Sequence, residues 1–258
     1  MTAEFELLAE LHGDALRQGP GSEECTRQAL SLTRLPADAP LRVADIGCGT
    51  GASTLVLAQA LPQARFLALD FLPSFLQRLG ERAQALGVAQ RIHCCHADMR
   101  RPPIAPGSLD LLWSEGAIYH MGFSHGVRAW RSLLRPGGIL AVSEITWLHT
   151  QRPAEIETYW NAAYAEMGTA ADKLHILEAA GYEPLGYFPL PACCWTENYY
   201  RPLEARFPSF LAARPSPQAR RLVEEERAEI RLYRKYGASL SYGFYIAART
   251  TASPRTAP

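Results

Sequence analysis

The 258-residue sequence predicts an α/β protein: a mostly parallel sheet with helices on both faces. Three observations predict it. Apolar strand-like runs alternate with helix-periodic segments over the first half of the chain. The glycine-rich turn Asp45-Ile46-Gly47-Cys48-Gly49-Thr50-Gly51 stands where a first strand gives way to a helix. The length suits one domain spanning 1–258, with room for a modest helical cap.

Leu41–Ile46 reads as the first strand, and Ser53–Leu61 as the helix after it, stopped by Pro62. Arg65–Asp70 is the second strand. Pro73 suits a first helical position, and Leu72, Phe75, Leu76, Leu79, Ala83 and Leu86 recur at helical spacing until Gly87. Arg91–Cys95, Leu109–Ser114 and Gly138–Glu144 follow as strands three to five. Between the last two, Ser124 reads as the cap of a helix carrying Val127, Trp130, Leu133 and Leu134, ended by Arg135-Pro136-Gly137-Gly138. Aromatic-rich helices over 147–180 and a second insert over 195–237 predict the cap. The second insert includes a long helix from Pro217 to Tyr236. Its run Glu224-Glu225-Glu226 reads as a solvated face offset by Arg227 and Arg231. Glu183–Leu190 and Ser241–Arg249 supply the remaining strands, and the polar tail 250–258 is expected to be disordered.

Lys plus Arg equals Asp plus Glu at 26 each, so the net charge is zero and no basic footprint marks a nucleic-acid partner. No apolar run reaches 18 residues, and the acidic start lacks the features of a signal peptide. A cytoplasmic protein without a membrane partner, monomeric or homodimeric, is expected. The six cysteines match no zinc spacing and form no evident disulfide framework, so no metal is expected and the thiols read as reduced and mostly buried.

Glycines 47, 49 and 51 let the backbone approach a ligand at a helix N-terminus. Gly47, Gly49 and Ala52 also satisfy the looser dinucleotide pattern, which leaves a nicotinamide dehydrogenase open at this point. Asp70, at the end of the second strand, can accept hydrogen bonds from ribose hydroxyls. Asp98, in His96-Ala97-Asp98-Met99 after the third, can accept one from an adenine amine.

With Leu109-Asp110-Leu111-Leu112-Trp113-Ser114 and Leu134-Arg135-Pro136-Gly137-Gly138 added, residues 41 to 144 resemble the class I S-adenosylmethionine-dependent methyltransferases. The resemblance implies a Rossmann-like fold of seven strands, the last inserted antiparallel. It implies S-adenosylmethionine as the methyl donor and S-adenosylhomocysteine as product. Asp45, Gly47, Cys48, Gly49, Thr50 and Gly51 would lie under the methionyl end, Asp70 and Phe71 at the ribose, and Asp98 and Met99 at the adenine. Ser114 and Glu115 would lie beside the sulfonium and amino group. Over most of the chain, Ser114 to Phe123, Val142-Ser143-Glu144, Arg152 to Ile156 and Cys194 to Tyr200 look like a bacterial group of small-molecule methyltransferases.

Methyl transfer from a sulfonium is an in-line displacement, so positioning is the first demand, and a protonated acceptor adds the need for a base. His120, then Glu144, then Tyr119 are the candidate catalytic residues, because all lie near the carboxyl edge where such sheets bind ligands. Trp147, Trp195, Tyr199 and Tyr200 are candidates for the wall of an acceptor pocket. The leading function is transfer to oxygen, nitrogen or carbon of a small molecule. Two alternatives stand beside it: arsenite or thiol methylation, prompted by the cysteines, and a non-catalytic S-adenosylmethionine-binding module. Ser114-Glu115-Gly116 at the end of the fourth strand argues against DNA amino-methylation.

Overall fold

Seven strands share one sheet in the computed structural model, which describes residues 3–13 and 15–251. The tail reading therefore falls outside the described residues from 252 onward. The strands are β1 (Arg42–Ile46), β2 (Arg65–Asp70), β3 (Ile92–His96), β4 (Leu109–Glu115), β5 (Leu134–Trp147), β6 (Tyr182–Pro189) and β7 (Leu240–Arg249). Their order is β3-β2-β1-β4-β5-β7-β6, with β1 to β5 parallel and β7 antiparallel to both neighbours. β5 is buried without interruption from Gly138 to Trp147, as a strand covered on both faces should be.

One face is covered by α2 (Glu23–Thr33), α3 (Ala52–Ala60) and α4 (Pro73–Ala85), whose Leu57, Leu76 and Leu79 join Val43, Phe66 and Trp113 in one core. The other is covered by α5 (Phe123–Arg131) and α7 (Ala170–Ala179), where Val127, Trp130 and Leu177 meet Ile46, Leu112 and Val142. α6 (Ala154–Ala163) lies between β5 and α7. α8 (Cys193–Trp195), α9 (Arg201–Ala213) and α10 (Pro217–Tyr236) connect β6 to β7, and α1 (Ala3–His12) packs against α9 and α10. α10 starts where Ser216 Oγ accepts the Ala219 N–H (3.1 Å) ahead of Pro217, and it buries Ala219, Leu222, Val223, Ile230 and Tyr233.

Several local expectations change. α5 ends at Arg131, and Leu134 already pairs with Leu109, so Arg135 to Gly138 lies inside β5 rather than ending a helix. Gly137, at φ 75°, and a register shift between Leu109 and Leu111 absorb the irregularity. Ser124 does not cap α5; Gly122 does, and the Glu166 carboxylate accepts the Ser124 N–H from across a loop (2.8 Å). α7 belongs to the layer under the sheet, so the cap is built from α8 to α10 and α1 more than from 147–180. Three of the six thiols are buried (Cys25, Cys48, Cys194), two half-buried and Cys193 exposed, fewer buried than expected. No helix among the described residues is long and apolar enough to cross a membrane.

Candidate active site

The chain reverses direction across the sheet between β1 and β4, and a cleft of about 700 Å³ opens at the carboxyl ends of β1 to β4. This is where an open α/β sheet leaves space for a ligand, since the connections diverge to opposite faces. The turn after β1 forms its floor. Gly47 and Cys48 donate their N–H groups to Leu69 O on β2 (2.8 and 3.1 Å). Gly47 adopts φ 76°, and a Cβ there would stand 2.4 Å from the Ala117 Cβ, so no other residue fits. Gly49 donates its N–H to Asp70 Oδ2 (2.8 Å), and Leu72 donates to Asp70 Oδ1 (2.9 Å). These two bonds fix the Asp70 carboxylate at the cleft with lone pairs to spare, while burial, the larger effect, raises its pKa.

Asp45 is fully buried beneath this turn and does not line the cleft. Its Oδ2 accepts from Ser53 Oγ (2.7 Å) and Thr54 Oγ1 (2.6 Å), tying β1 to the first turn of α3. Its Oδ1 is buried without a hydrogen bond, and burial pushes the carboxyl up to about 7. Thr50 and Gly51 also lie off the cleft surface, and Ser114 is buried with its hydroxyl on Ile46 O (2.8 Å). Gly47, Cys48, Gly49, Asp70, Phe71, Asp98, Met99 and Glu115 all line the cleft. Asp98 accepts the Arg100 N–H (2.9 Å), and Met99 O accepts from the buried Trp130 indole (3.0 Å). Glu115 already holds three donors: Arg17 Nη1 (2.8 Å), Thr26 Oγ1 (2.7 Å) and Trp113 Nε1 (3.0 Å).

His120 and Tyr119 sit on the cleft wall, their rings 4.0 Å apart between centroids. Burial first, and then the charge of Arg100, holds the His120 imidazole below its ordinary pKa, so it is neutral at pH 7. Tyr119 is raised by burial and by nearby glutamates, so its phenol stays protonated. Glu144 is not among the cleft residues. It is 1% exposed, 3.5 Å from the equally buried Lys173 Nζ, and burial pushes it up to about 7.

Of the four acceptor-wall candidates only Tyr199 reaches the cleft. Trp147 is buried at the end of β5 under the Arg152 guanidinium, 4.6 Å from its ring centroid. Trp195 stacks on Tyr233 (4.7 Å) and donates to Ser241 Oγ (3.0 Å). Tyr200 is buried and donates to Glu229 Oε1 (2.8 Å). Sequence reasoning missed the outer wall, made by His12 and the segment Arg17-Gln18-Gly19-Pro20 together with Glu226 and Glu229 of α10. Gln18 is bonded to Thr50 through both its amide groups (Oε1 to the Thr50 N–H, 2.9 Å; Nε2 to Oγ1, 3.1 Å). A signal for the glutamates existed: Ala219, Leu222, Val223, Ile230 and Tyr233 trace one helical stripe, and Glu226 falls on it. Cys95, Cys193 and Cys194 do not line the cleft; Cys194 faces Cys25 with 3.7 Å between sulfurs. The thiol cluster that arsenite or thiol chemistry needs is absent from the cleft wall among the described residues.

Residues 43–138 match the family described as methyltransferase domain. Among curated proteins the chain is similar to malonyl-acyl-carrier-protein O-methyltransferase of Dechloromonas aromatica, 34% identical over 113 residues (43% of this chain, 39% of the relative). It is also similar to trans-aconitate 2-methyltransferase of Methylobacterium radiotolerans, 30% identical over 169 residues (63% of each). The matches thus span from about two fifths to just under two thirds of these relatives. Among solved structures, an S-adenosylmethionine-dependent methyltransferase of Geobacter sulfurreducens in complex with S-adenosylhomocysteine superposes with TM-score 0.81 at 20% identity, covering 97% of this chain and 98% of that one. The cyclase SpnF superposes with TM-score 0.76 at 20% identity, covering 96% and 93%. Residues 43–138 thus match a methyltransferase domain, and the chain as a whole shares the fold of solved S-adenosylmethionine-dependent methyltransferases.

Proposed function

We propose that this protein binds S-adenosylmethionine in the cleft and transfers its methyl group to an oxygen, nitrogen or carbon nucleophile of a small molecule. The observation that carries the reading is the meeting of Gly47, Gly49, Asp70, Asp98 and Met99 in one cleft. The residues fit such a donor. Asp70 is held open to hydroxyl donors by two backbone bonds, Asp98 offers an acceptor for an amine, and Met99 offers an apolar face for a ring. The bound donor supplies an activated methyl group whose bonding electrons leave with sulfur. What the chain supplies is alignment, worth up to about 7–11 kcal/mol in such displacements, and a place for the acceptor's proton. His120, neutral and facing the cleft, takes that proton; Tyr119 orients the acceptor as a hydrogen-bond donor. Glu144, held by Lys173 behind the wall, supports the site without touching the acceptor.

The test is a calorimetric titration with S-adenosylhomocysteine and with NADH, followed by methyl transfer from labelled donor to a broad acceptor panel. Binding of S-adenosylhomocysteine but not NADH, with labelled product, is the expected outcome. Donor binding with no product across the panel would favour the non-catalytic module, which matters because one structural neighbour of this fold is a cyclase.

A further inference from the structure

The geometry points to an acceptor that carries a basic nitrogen, bound as a cation against Glu226 and Glu229 between the rings of Tyr119 and Tyr199. This rests on the donor-binding reading above and narrows its acceptor.

The argument starts from charge. Among the described residues the cleft presents five carboxylates, Asp70, Asp98, Glu115, Glu226 and Glu229, and two arginines. Both arginines are engaged: Arg17 with Glu115 (2.8 Å) and Arg100 with Asp98 (3.7 Å). Among the described residues Glu229 has no cationic partner, and its Oε1 accepts only the Tyr200 hydroxyl (2.8 Å). Among the same residues Glu226 has only His12 Nε2, at 3.7 Å, beyond hydrogen-bond reach. The neighbouring Glu224 and Glu225 differ: each is exposed and paired with an arginine of its own helix (2.7 and 2.9 Å). The two unmatched carboxylates of α10 are thus the two that face the cleft.

Aromatic rings complete the wall. Tyr199 lines the cleft with its ring stacked near His12 (6.0 Å), and Tyr119 lines it 38% exposed. Neither hydroxyl makes a hydrogen bond within the described residues. Tyr119, Tyr199, Glu226 and Glu229 line the same cleft, and burial first, then the charge of these glutamates, raises both phenols. Ring faces attract cations, and carboxylates in a half-enclosed space do so more strongly. Burial, then the charge of Glu226, pushes Glu229 up to about 7, a cost that a bound cation relieves. An anionic acceptor, such as the one named for the trans-aconitate relative, would meet repulsion on this wall.

The test uses the full chain saturated with S-adenosylhomocysteine, whose own titration is recorded first. Matched amine, alcohol and carboxylate probes are then titrated on three skeletons: tyramine with tyrosol and 4-hydroxyphenylacetate, and the corresponding cyclohexylmethyl and n-butyl sets. On at least one skeleton the amine should bind about tenfold or more tightly than its partners, the scale of a partly desolvated cation on rings and carboxylates. The double variant Glu226→Gln with Glu229→Gln, which keeps an acceptor for Tyr200, should erase that preference and leave S-adenosylhomocysteine affinity unchanged. No amine preference on any skeleton, or one that survives the double variant, overturns the inference while the donor reading stands. So does a variant that loses only the discrimination between S-adenosylmethionine and S-adenosylhomocysteine, because the carboxylates would then serve the sulfonium. Failure of the first titration strikes the donor reading instead.

Discussion

Asp70 joins two turns that its sequence neighbours alone do not connect: one oxygen holds the Gly49 amide and the other the Leu72 amide. An asparagine there must turn its NH2 toward one of those N–H groups. Asp70→Asn should therefore weaken S-adenosylhomocysteine binding by about 10- to 100-fold, the scale of losing hydrogen bonds to a charged group, by calorimetry. His120 gives a different readout. Its pKa lies below 6.5, so the rate should rise with pH through a point below 6.5 and then flatten. His120→Gln should lower kcat about 100-fold, remove that limb of the pH profile and leave donor affinity intact. At this scale the floor of the cleft was legible, because Gly47, Asp70 and Asp98 follow strand ends at motif spacing and all line it. Its outer wall was not. Trp195 and Tyr200 are as aromatic as Tyr199, and only the packing of α8 and the turn after it decides which ring meets the cleft.

At the scale of elements, the first 40 residues carry more of the site than their sequence suggests. α2 buries Cys25, Thr26, Ala29 and Thr33 at helical spacing, but these residues are small and partly polar, so no apolar stripe marked the helix in the sequence. The segment after α1 is fastened over the glycine turn by Gln18 on Thr50 and by Arg82, whose Nη1 donates to Thr50 O (2.8 Å) and Leu16 O (3.3 Å). Beneath the other face, β5 and α7 are joined by Glu144 and Lys173, both nearly inaccessible. Lys173 Nζ also donates to Glu166 O (2.7 Å) and lies 4.6 Å from the centre of the Phe123 ring. Lys173→Met strands a buried carboxylate, which costs about 3–5 kcal/mol. Glu144 is raised from 4.5 to about 7, so the folded protein holds its proton more tightly than the unfolded chain. Its contribution to stability is therefore present below 4.5 and lost as pH rises toward 7. The variant's loss should be larger at pH 8 than at pH 6 in urea unfolding; equal losses would show that the carboxylate is not the cause.

For the whole molecule, the alternation of strands and helices foretold the layers, and the antiparallel β7 between β5 and β6 agrees with what the family resemblance implied. Local sequence could not show that α1, α9 and α10 converge over the carboxyl edge. That requires contacts such as Arg206 Nε to Leu11 O (2.8 Å), far apart along the chain. The convergence brings Glu226 and Glu229 into one cleft with a glycine turn about 180 residues away. A crystal structure with S-adenosylhomocysteine tests that account most directly. It should show the ribose hydroxyls on the Asp70 carboxylate, the adenine amine at Asp98 with the ring against Met99, and open space from the sulfur toward His120 and Tyr199. Ligand density anywhere else, or none at saturating concentration, would contradict it.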